Sequence, residues 1–199
     1  MKIRRVVTSH DAQGKAIVAI DEISRDVVSF RPGATIANIW SSEGFPVDNA
    51  GSADTAKEIT GTTRDNGTVF RVIEYGPGVT PRNHRTNSID YAVVLSGEID
   101  MELDDGMVTL RAGDVLVQRG TVHNWVNRYQ VPCVIAFVLI DAHAVEHGGK
   151  ELAAHGSRQI WSLSDEDVFI RLSSLPRLGG GGQRPEGASH AAALSDFRS

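Results

Sequence analysis

Four residues that can do chemistry lie in one stretch between Gly78 and Asn127: His84, Thr86, Asp90 and His123. Residues 84, 86 and 90 share parity, so an uninterrupted strand presents all three on one face. His123 follows a glycine, Gly120, at a turn where a neighbouring strand could return to the same spot. Two imidazoles and one carboxylate form a ligand set with open positions for water, oxygen or substrate. Such a set suits non-haem Fe(II), and it also suits Zn(II) with a bound water. Plainer readings stand beside this one. A single buried histidine is commonly a hydrogen-bonded core residue, and Asp90 could pair with Arg82, Arg85 or a backbone donor. Thr86 offers a hydroxyl for water or a substrate oxygen, or is simply a β-branched strand residue.

Arg82, Arg85, Arg119 and Arg128 surround this stretch. Arg82 and Arg119 are the expected clamp for an anionic group, since guanidinium forks match carboxylates and phenolates. Arg85 and Tyr91 have the opposite parity to His84 and should point outward. Trp125 either walls a pocket for a flat organic ligand or fills core. Asn127 either lines the same substrate pocket or fixes a turn. Glu74 and Glu98 read as solvated strand residues. His143, His147 and His155 lack the acidic partner of a zinc-protease helix, and Gly148-Gly149 interrupts them. Cys133 opens an apolar run and reads as a buried small hydrophobe.

The elements that must position these groups are short strands. Arg4 to Thr8 and Ala16 to Ile20 flank Asp11-Ala12-Gln13-Gly14 as a hairpin. Ala34 to Trp40 is a further strand. Residues 41–67 are polar and read as a long loop, a possible lid. Strands are then predicted at Val69–Tyr75, Ile89–Leu95, Ile99–Leu103, Val108–Leu110, Val115–Gln118 and Cys133–Ile140. Glycine- and proline-bearing turns separate them, the pattern of an antiparallel sandwich or barrel. Beyond Asp141 a short helix is expected near Lys150–Ala154. Another is expected from Ser164-Asp165-Glu166-Asp167 to Pro176, with acids in its first turn. Gly179 to Gly182 opens a flexible linker composition.

In spacing, these residues resemble the two motifs of the cupin superfamily, G-x5-H-x-H-x3–4-E-x6-G and G-x5-P-x-G-x2-H-x3-N. Gly78, His84 and Gly97 match the first; Gly113, Gly120, His123 and Asn127 match the second. Thr86 stands where the second histidine would be, Asp90 at the glutamate and Gln118 at the proline, and the spacing after Gly113 is one residue short. The resemblance covers about residues 68–140 and points to small single-domain cupins of bacteria and fungi. It implies an all-β fold, a double-stranded β-helix or jelly-roll barrel. Residues 1–67 would add N-terminal strands and a loop, 68–142 the barrel, 143–178 a partly helical extension and 179–199 a glycine-rich tail.

The resemblance implies a metal-dependent enzyme acting on a small organic acid or aromatic compound, an oxygenase ahead of a lyase, decarboxylase or isomerase. His84, Asp90 and His123 would hold one divalent ion, Fe(II) ahead of Zn, Mn or Ni. Thr86 would orient water or substrate, and Arg82 and Arg119 would hold an anionic group. The alternatives are a non-catalytic ligand-binding cupin and a metal-free isomerase with His84 or His123 as base. Two imidazoles serving either purpose should lie within about 5 Å. A homodimer is the family expectation, with the N-terminal hairpin covering a sheet edge of the second subunit.

Composition narrows the partners. The chain has 199 residues, a formal net charge of −5 and one cysteine. The negative balance argues against nucleic acid. One cysteine leaves no internal disulfide and no cysteine-based metal cluster. That usage suits the cytoplasm. No apolar run reaches the roughly 18 residues of a membrane-spanning helix. There is no G-x-G-x-x-G, Walker or G-x-S-x-G motif, which argues against nucleotide-dependent and serine-hydrolase chemistry.

Overall fold

Thirteen strands and one 3-10 turn make up the computed structural model, which describes residues 1–24, 27–28, 31–51, 53–59 and 61–156. The strands are β1 (Arg4–His10), β2 (Ala16–Ile23), β3 (Val27–Val28), β4 (Ala34–Glu43), β5 (Gly67–Tyr75), β6 (Ser88–Ser96) and β7 (Glu98–Glu102). They continue as β8 (Met107–Arg111), β9 (Val115–Arg119), β10 (Asn124–Val126), β11 (Cys133–Asp141), β12 (Val145–His147) and β13 (Lys150–Leu152).

Every pairing is antiparallel. One sheet runs β3-β4-β5-β11-β6-β9 and a second runs β10-β7-β8. The main core joins the two sheets. Val69 and Tyr75, Ala92 and Val94, and Ile135, Phe137 and Leu139 come from the large sheet. Ile99, Met101, Leu110 and Trp125 come from the small one. This is a two-layered antiparallel barrel, as the resemblance implies.

The outer face of β4 and β5 is covered as well. Ala37, Ile39 and Val72 form a second cluster, against which Met1, Ile3 and Phe70 pack. The N-terminal hairpin is fixed to the barrel by Arg5, whose guanidinium is buried and donates to Asp54, Glu22 and the Ile39 carbonyl. Asp54 also caps the 3-10 turn Thr55–Glu58 by accepting from the Ala56 amide. The segment read as a long loop is therefore pinned at several points. Thr55 and Ser41 exchange hydrogen bonds, and Ile59 packs on the main core.

The β1–β2 turn follows its sequence chemistry. Asp11 accepts from the Gln13 and Lys15 amides, and Gly14 takes φ +77°. Gly97, between β6 and β7, has φ +76°, and a Cβ there would stand 2.5 Å from the Pro132 carbonyl oxygen.

The structure corrects the C-terminal expectation in part. Residues around Lys150–Ala154 hold no helix: β12 and β13 pair as a hairpin, with His147 opposite Lys150. Gly148 and Gly149 both take positive φ, 59° and 73°. Two such residues in a row close a two-residue hairpin turn. The predicted helix after Ser164 and the glycine-rich tail lie outside the described residues. The described part of the extension lies against the barrel. Arg85 and His155 exchange both backbone hydrogen bonds, and just before the extension the Ala142 amide donates to the Asn87 carbonyl.

Candidate functional site

The strand parity that first linked residues 84, 86 and 90 holds in space. His84, Thr86, Ser88, Asp90, Ala92 and Val94 are all buried, alternating with less buried or exposed neighbours. Regular β6 begins only at Ser88, yet the alternation runs back to His84. The reason is a single antiparallel bridge. His84 N donates to His123 O at 3.1 Å, and His123 N donates to His84 O at 3.0 Å. The two ring centroids are 4.2 Å apart with the planes tilted by 50°. The two motif histidines are thereby brought together.

Their tautomers follow from their contacts. Nδ1 of His84 lies 3.1 Å from the Arg82 carbonyl oxygen, and Nδ1 of His123 lies 3.0 Å from that of Thr121. A carbonyl can only accept, so each Nδ1 carries the hydrogen. Each neutral ring then keeps an unprotonated Nε2. Burial is the main cause that pushes His84 down to about 3, with the neighbouring His123 and Arg82 charges adding to it. Burial likewise pushes His123 down to about 4, against the opposing pull of the Thr121 carbonyl. Both rings are neutral at physiological pH. A neutral imidazole with Nε2 free is a metal ligand or a base.

Asp90 takes a different set of partners. Its carboxylate accepts from Ser88 Oγ at 2.6 Å and from Gln118 Nε2 at 3.4 Å. Ser88 spends its one hydrogen on Asp90, so Thr86 Oγ1 is the donor in the 2.8 Å contact with Ser88 Oγ. The result is a buried relay from Thr86 through Ser88 to Asp90. Burial raises Asp90 to about 6, partly offset by Ser88 and the Arg71 charge. Among the described residues, no three His, Cys, Asp or Glu side chains converge closely enough to hold a metal ion. The structure thus pairs the imidazoles and ties Asp90 to Ser88 and Gln118.

The remaining predicted residues divide clearly. Arg82 is half-buried; its Nε donates to the Gly156 carbonyl at 2.9 Å, and its charge acts on both imidazoles. Arg119 is not brought there. It alternates on β9 with buried Gln118, so its side chain stands on the exposed outer face. Trp125 is buried and packs in the main core, its ring reaching the His123 side of the site. It stacks on Tyr75 with centroids 6.0 Å apart, meets Phe137 edge-on at 5.7 Å and meets His123 edge-on at 6.0 Å.

Asn127 is a loop lock. Its Nδ2 donates to the Tyr75 and Val131 carbonyls, its Oδ1 accepts from the Tyr129 amide, and its carbonyl accepts from Gly78. A pocket of about 370 Å³ reaches His123, lined also by Asn83, Val122, Glu102, Asp104 and Met107.

Three groups around the site were not among the site residues expected from the sequence. Ser88 and Gln118 contact Asp90, and Arg31 donates to the Asn124 side chain and the Trp125 carbonyl. Only parity with residues 84, 86 and 90 could have found Ser88.

Comparison with known proteins identifies the family. A family model described as Cupin domain matches residues 71–140. A cupin-domain-containing oxidoreductase of Aspergillus ruber, fogC, is 32% identical over 162 residues, covering 77% of this chain and 80% of its own. Phomopsin biosynthesis cluster protein C' of Diaporthe leptostromiformis is 36% identical over 159 residues, covering 74% of this chain and 83% of its own. Among solved structures, the polyketide cyclase RemF of Streptomyces resistomycificus matches with a TM-score of 0.40 and 15% identity, over 71% of this chain and 80% of its own.

Proposed function

The chain belongs to the cupin superfamily, and from that membership we propose a metal-dependent oxidoreductase acting on a small organic acid or aromatic compound. The observation that carries the reading is the pair of buried, neutral imidazoles with both Nε2 atoms unprotonated. Relatives named as oxidoreductases, and one named for a biosynthesis cluster, support it. On this reading the two Nε2 donors would hold one divalent ion, Fe(II) ahead of Zn, Mn or Ni, with Asp90, bonded to Ser88 and Gln118 in this structure, as the third ligand that the family expectation adds. Such an ion, when bound, supplies Lewis-acid or redox chemistry.

The chain's own residues do the rest. Arg82 places positive charge beside the imidazoles and favours an anionic substrate. The Thr86–Ser88–Asp90 relay can hold a proton at the Asp90 carboxyl. Trp125 walls the His123 side and keeps water from it. One observation favours a second reading, a metal-free isomerase with an imidazole base: the carboxylate is bonded elsewhere and does not join the histidines.

The same reading makes the partner a second copy of the chain. Tyr91 and Val93 of β6 pair in register with Val117 and Val115 of β9, and all four are exposed apolar residues on the outer face. We also propose a cytoplasmic location, on the strength of the single cysteine. No helix among the described residues is long and apolar enough to cross a membrane.

Elemental analysis of untagged protein after anaerobic Fe(II) loading tests the function. Near-stoichiometric metal that disappears in His123→Ala supports it. No metal after loading overturns it and leaves the imidazole base. Sedimentation of Val117→Lys tests the dimer, which should dissociate.

A further inference from the structure

Arg71 sits in the middle of β5, in the run Val69-Phe70-Arg71-Val72-Ile73. Val69, Ile73 and Tyr75 share its parity and pack in or against the main core, whereas Val72 belongs to the cluster on the opposite face. Arg71 therefore projects into the barrel, where it is 5% exposed. Its Nη2 donates to the Gly61 carbonyl at 2.6 Å. Its Nε is buried and has no hydrogen-bond partner among the described residues. No carboxylate among the described residues lies within ion-pair distance of it. A buried guanidinium matched only by one neutral carbonyl is costly for a fold to keep.

Two further observations point to what offsets that cost. Asn38 lies directly opposite Arg71 in the β4–β5 register, so the two side chains share the inner face. Asn38 is also buried, and its Oδ1 has no partner among the described residues. The Asn38 acceptor and the Arg71 donor are thus cross-strand neighbours that do not bond each other. Gln118 Oε1, beside Asp90, is a second buried acceptor in the same state.

Charge favours an anion. The Arg31, Arg71 and Arg82 guanidinium groups all act on the buried Tyr75 phenol. The carboxylate acting on Arg71 is Asp90, already held by Ser88. The described partners of Arg31 are neutral oxygens.

We propose that Arg71 is a substrate-binding residue that takes the carboxylate of a small hydroxy acid inside the barrel, with Asn38, its cross-strand neighbour, accepting from the ligand's hydroxyl. The proposal rests on the reading of the chain as a small-molecule enzyme and assigns the anionic end of its substrate. A guanidinium fork binds a carboxylate through paired N–H donors, which a neutral isostere cannot match.

The probe is salicylate, a carboxylate with an adjacent hydroxyl, titrated into the metal-free full chain by calorimetry, with salicylamide as the uncharged comparison. Metal-free protein keeps chelation by salicylate out of the measurement. The expected result is saturable salicylate binding, at least tenfold weaker salicylamide binding and at least tenfold weaker salicylate binding in Arg71→Met. Arg71→Lys should fall between them. Because Arg71→Met removes a buried unpaired charge, its melting temperature should equal or exceed the parent's.

Undiminished salicylate binding by folded Arg71→Met overturns the proposal, as does no saturable binding by the parent up to millimolar salicylate. A lowered melting temperature with undiminished binding by Arg71→Lys also overturns it, since it makes the residue structural. Iron loading of Arg71→Met is measured in parallel. Full loading with lost salicylate binding separates this site from the histidines. Arg71-dependent binding by a parent that takes up no metal leaves the proposal standing while the metalloenzyme reading fails.

Discussion

His84 and His123 exchange both of their backbone hydrogen bonds, at 3.1 and 3.0 Å, in a bridge outside the regular strands. That pairing puts their side chains on one face and their ring centroids 4.2 Å apart. The distance between the imidazoles is thus set by the main chain, and each ring's orientation by its own Nδ1 contact.

Acid should destabilise the metal-free chain before the ordinary carboxylate range is reached. The folded imidazoles titrate at about 3 and about 4 against an ordinary 6.5. The unfolded state therefore binds more protons as pH falls below 6.5, and stability declines. Asp90, raised to about 6, works in the opposite direction, since the fold holds its proton better than the unfolded chain does. Between pH 7 and 5 the histidines cost about 2 kcal/mol each and Asp90 returns about 1, a net loss of about 2 to 3 kcal/mol. Urea unfolding at the two pH values checks this. Asp90→Asn should steepen the loss.

Asn127→Ala should lower stability by about 3 kcal/mol, because it leaves the Tyr75 and Val131 carbonyls and the Tyr129 amide without their partner. Under the proposed function, the folded fraction should take up Fe(II) to the same extent as the parent. A loss of metal without a loss of stability would make Asn127 a site residue.

Arg5→Ala should cost about 3 to 5 kcal/mol by stranding Asp54 and Glu22 and opening the Ile39 carbonyl. The Arg5 hydrogen bond holds Asp54 below the usual carboxylate range. Its contribution is complete above the unfolded carboxyl's 3.8 and is lost as pH falls below that. Proteolysis within residues 1–24 of the variant reads the release of the hairpin.

Gly97→Ala should lose about 3 kcal/mol or more, from the positive φ and from contact with the Pro132–Cys133 backbone. Thermal melting measures it, and a melting temperature within a degree or two of the parent's would contradict the close approach.

Much of the fold was legible because inner and outer faces alternate where one face meets solvent. β6 reads buried at 88, 90, 92 and 94 and exposed at 91, 93 and 95, and its strand and its parity with His84 follow directly. β5 is covered on both faces, so Arg71 stands in an apolar run that gives no hint of which side it serves. β10, β12 and β13 have three residues each, too few for a period. Arg31 and Gln118 acquire roles through a loop and through cross-strand register, which no local window contains. Arg119 illustrates the converse: nearness in sequence to His123 did not outweigh strand parity.

The segment from Arg82 to Asn87 is held from two sides, by His123 on one and by Ala142, His155 and Gly156 on the other. Gly156 lies so close that a Cβ there would stand 2.6 Å from the Asn83 carbonyl oxygen and 3.1 Å from His84 Cβ. A change in the C-terminal segment can therefore retune the histidine pair from a distance while both imidazoles stay the same. Gly156→Ala should show this as altered Fe(II) affinity with every donor atom retained. An unchanged affinity would mean that His84 is seated by His123 alone.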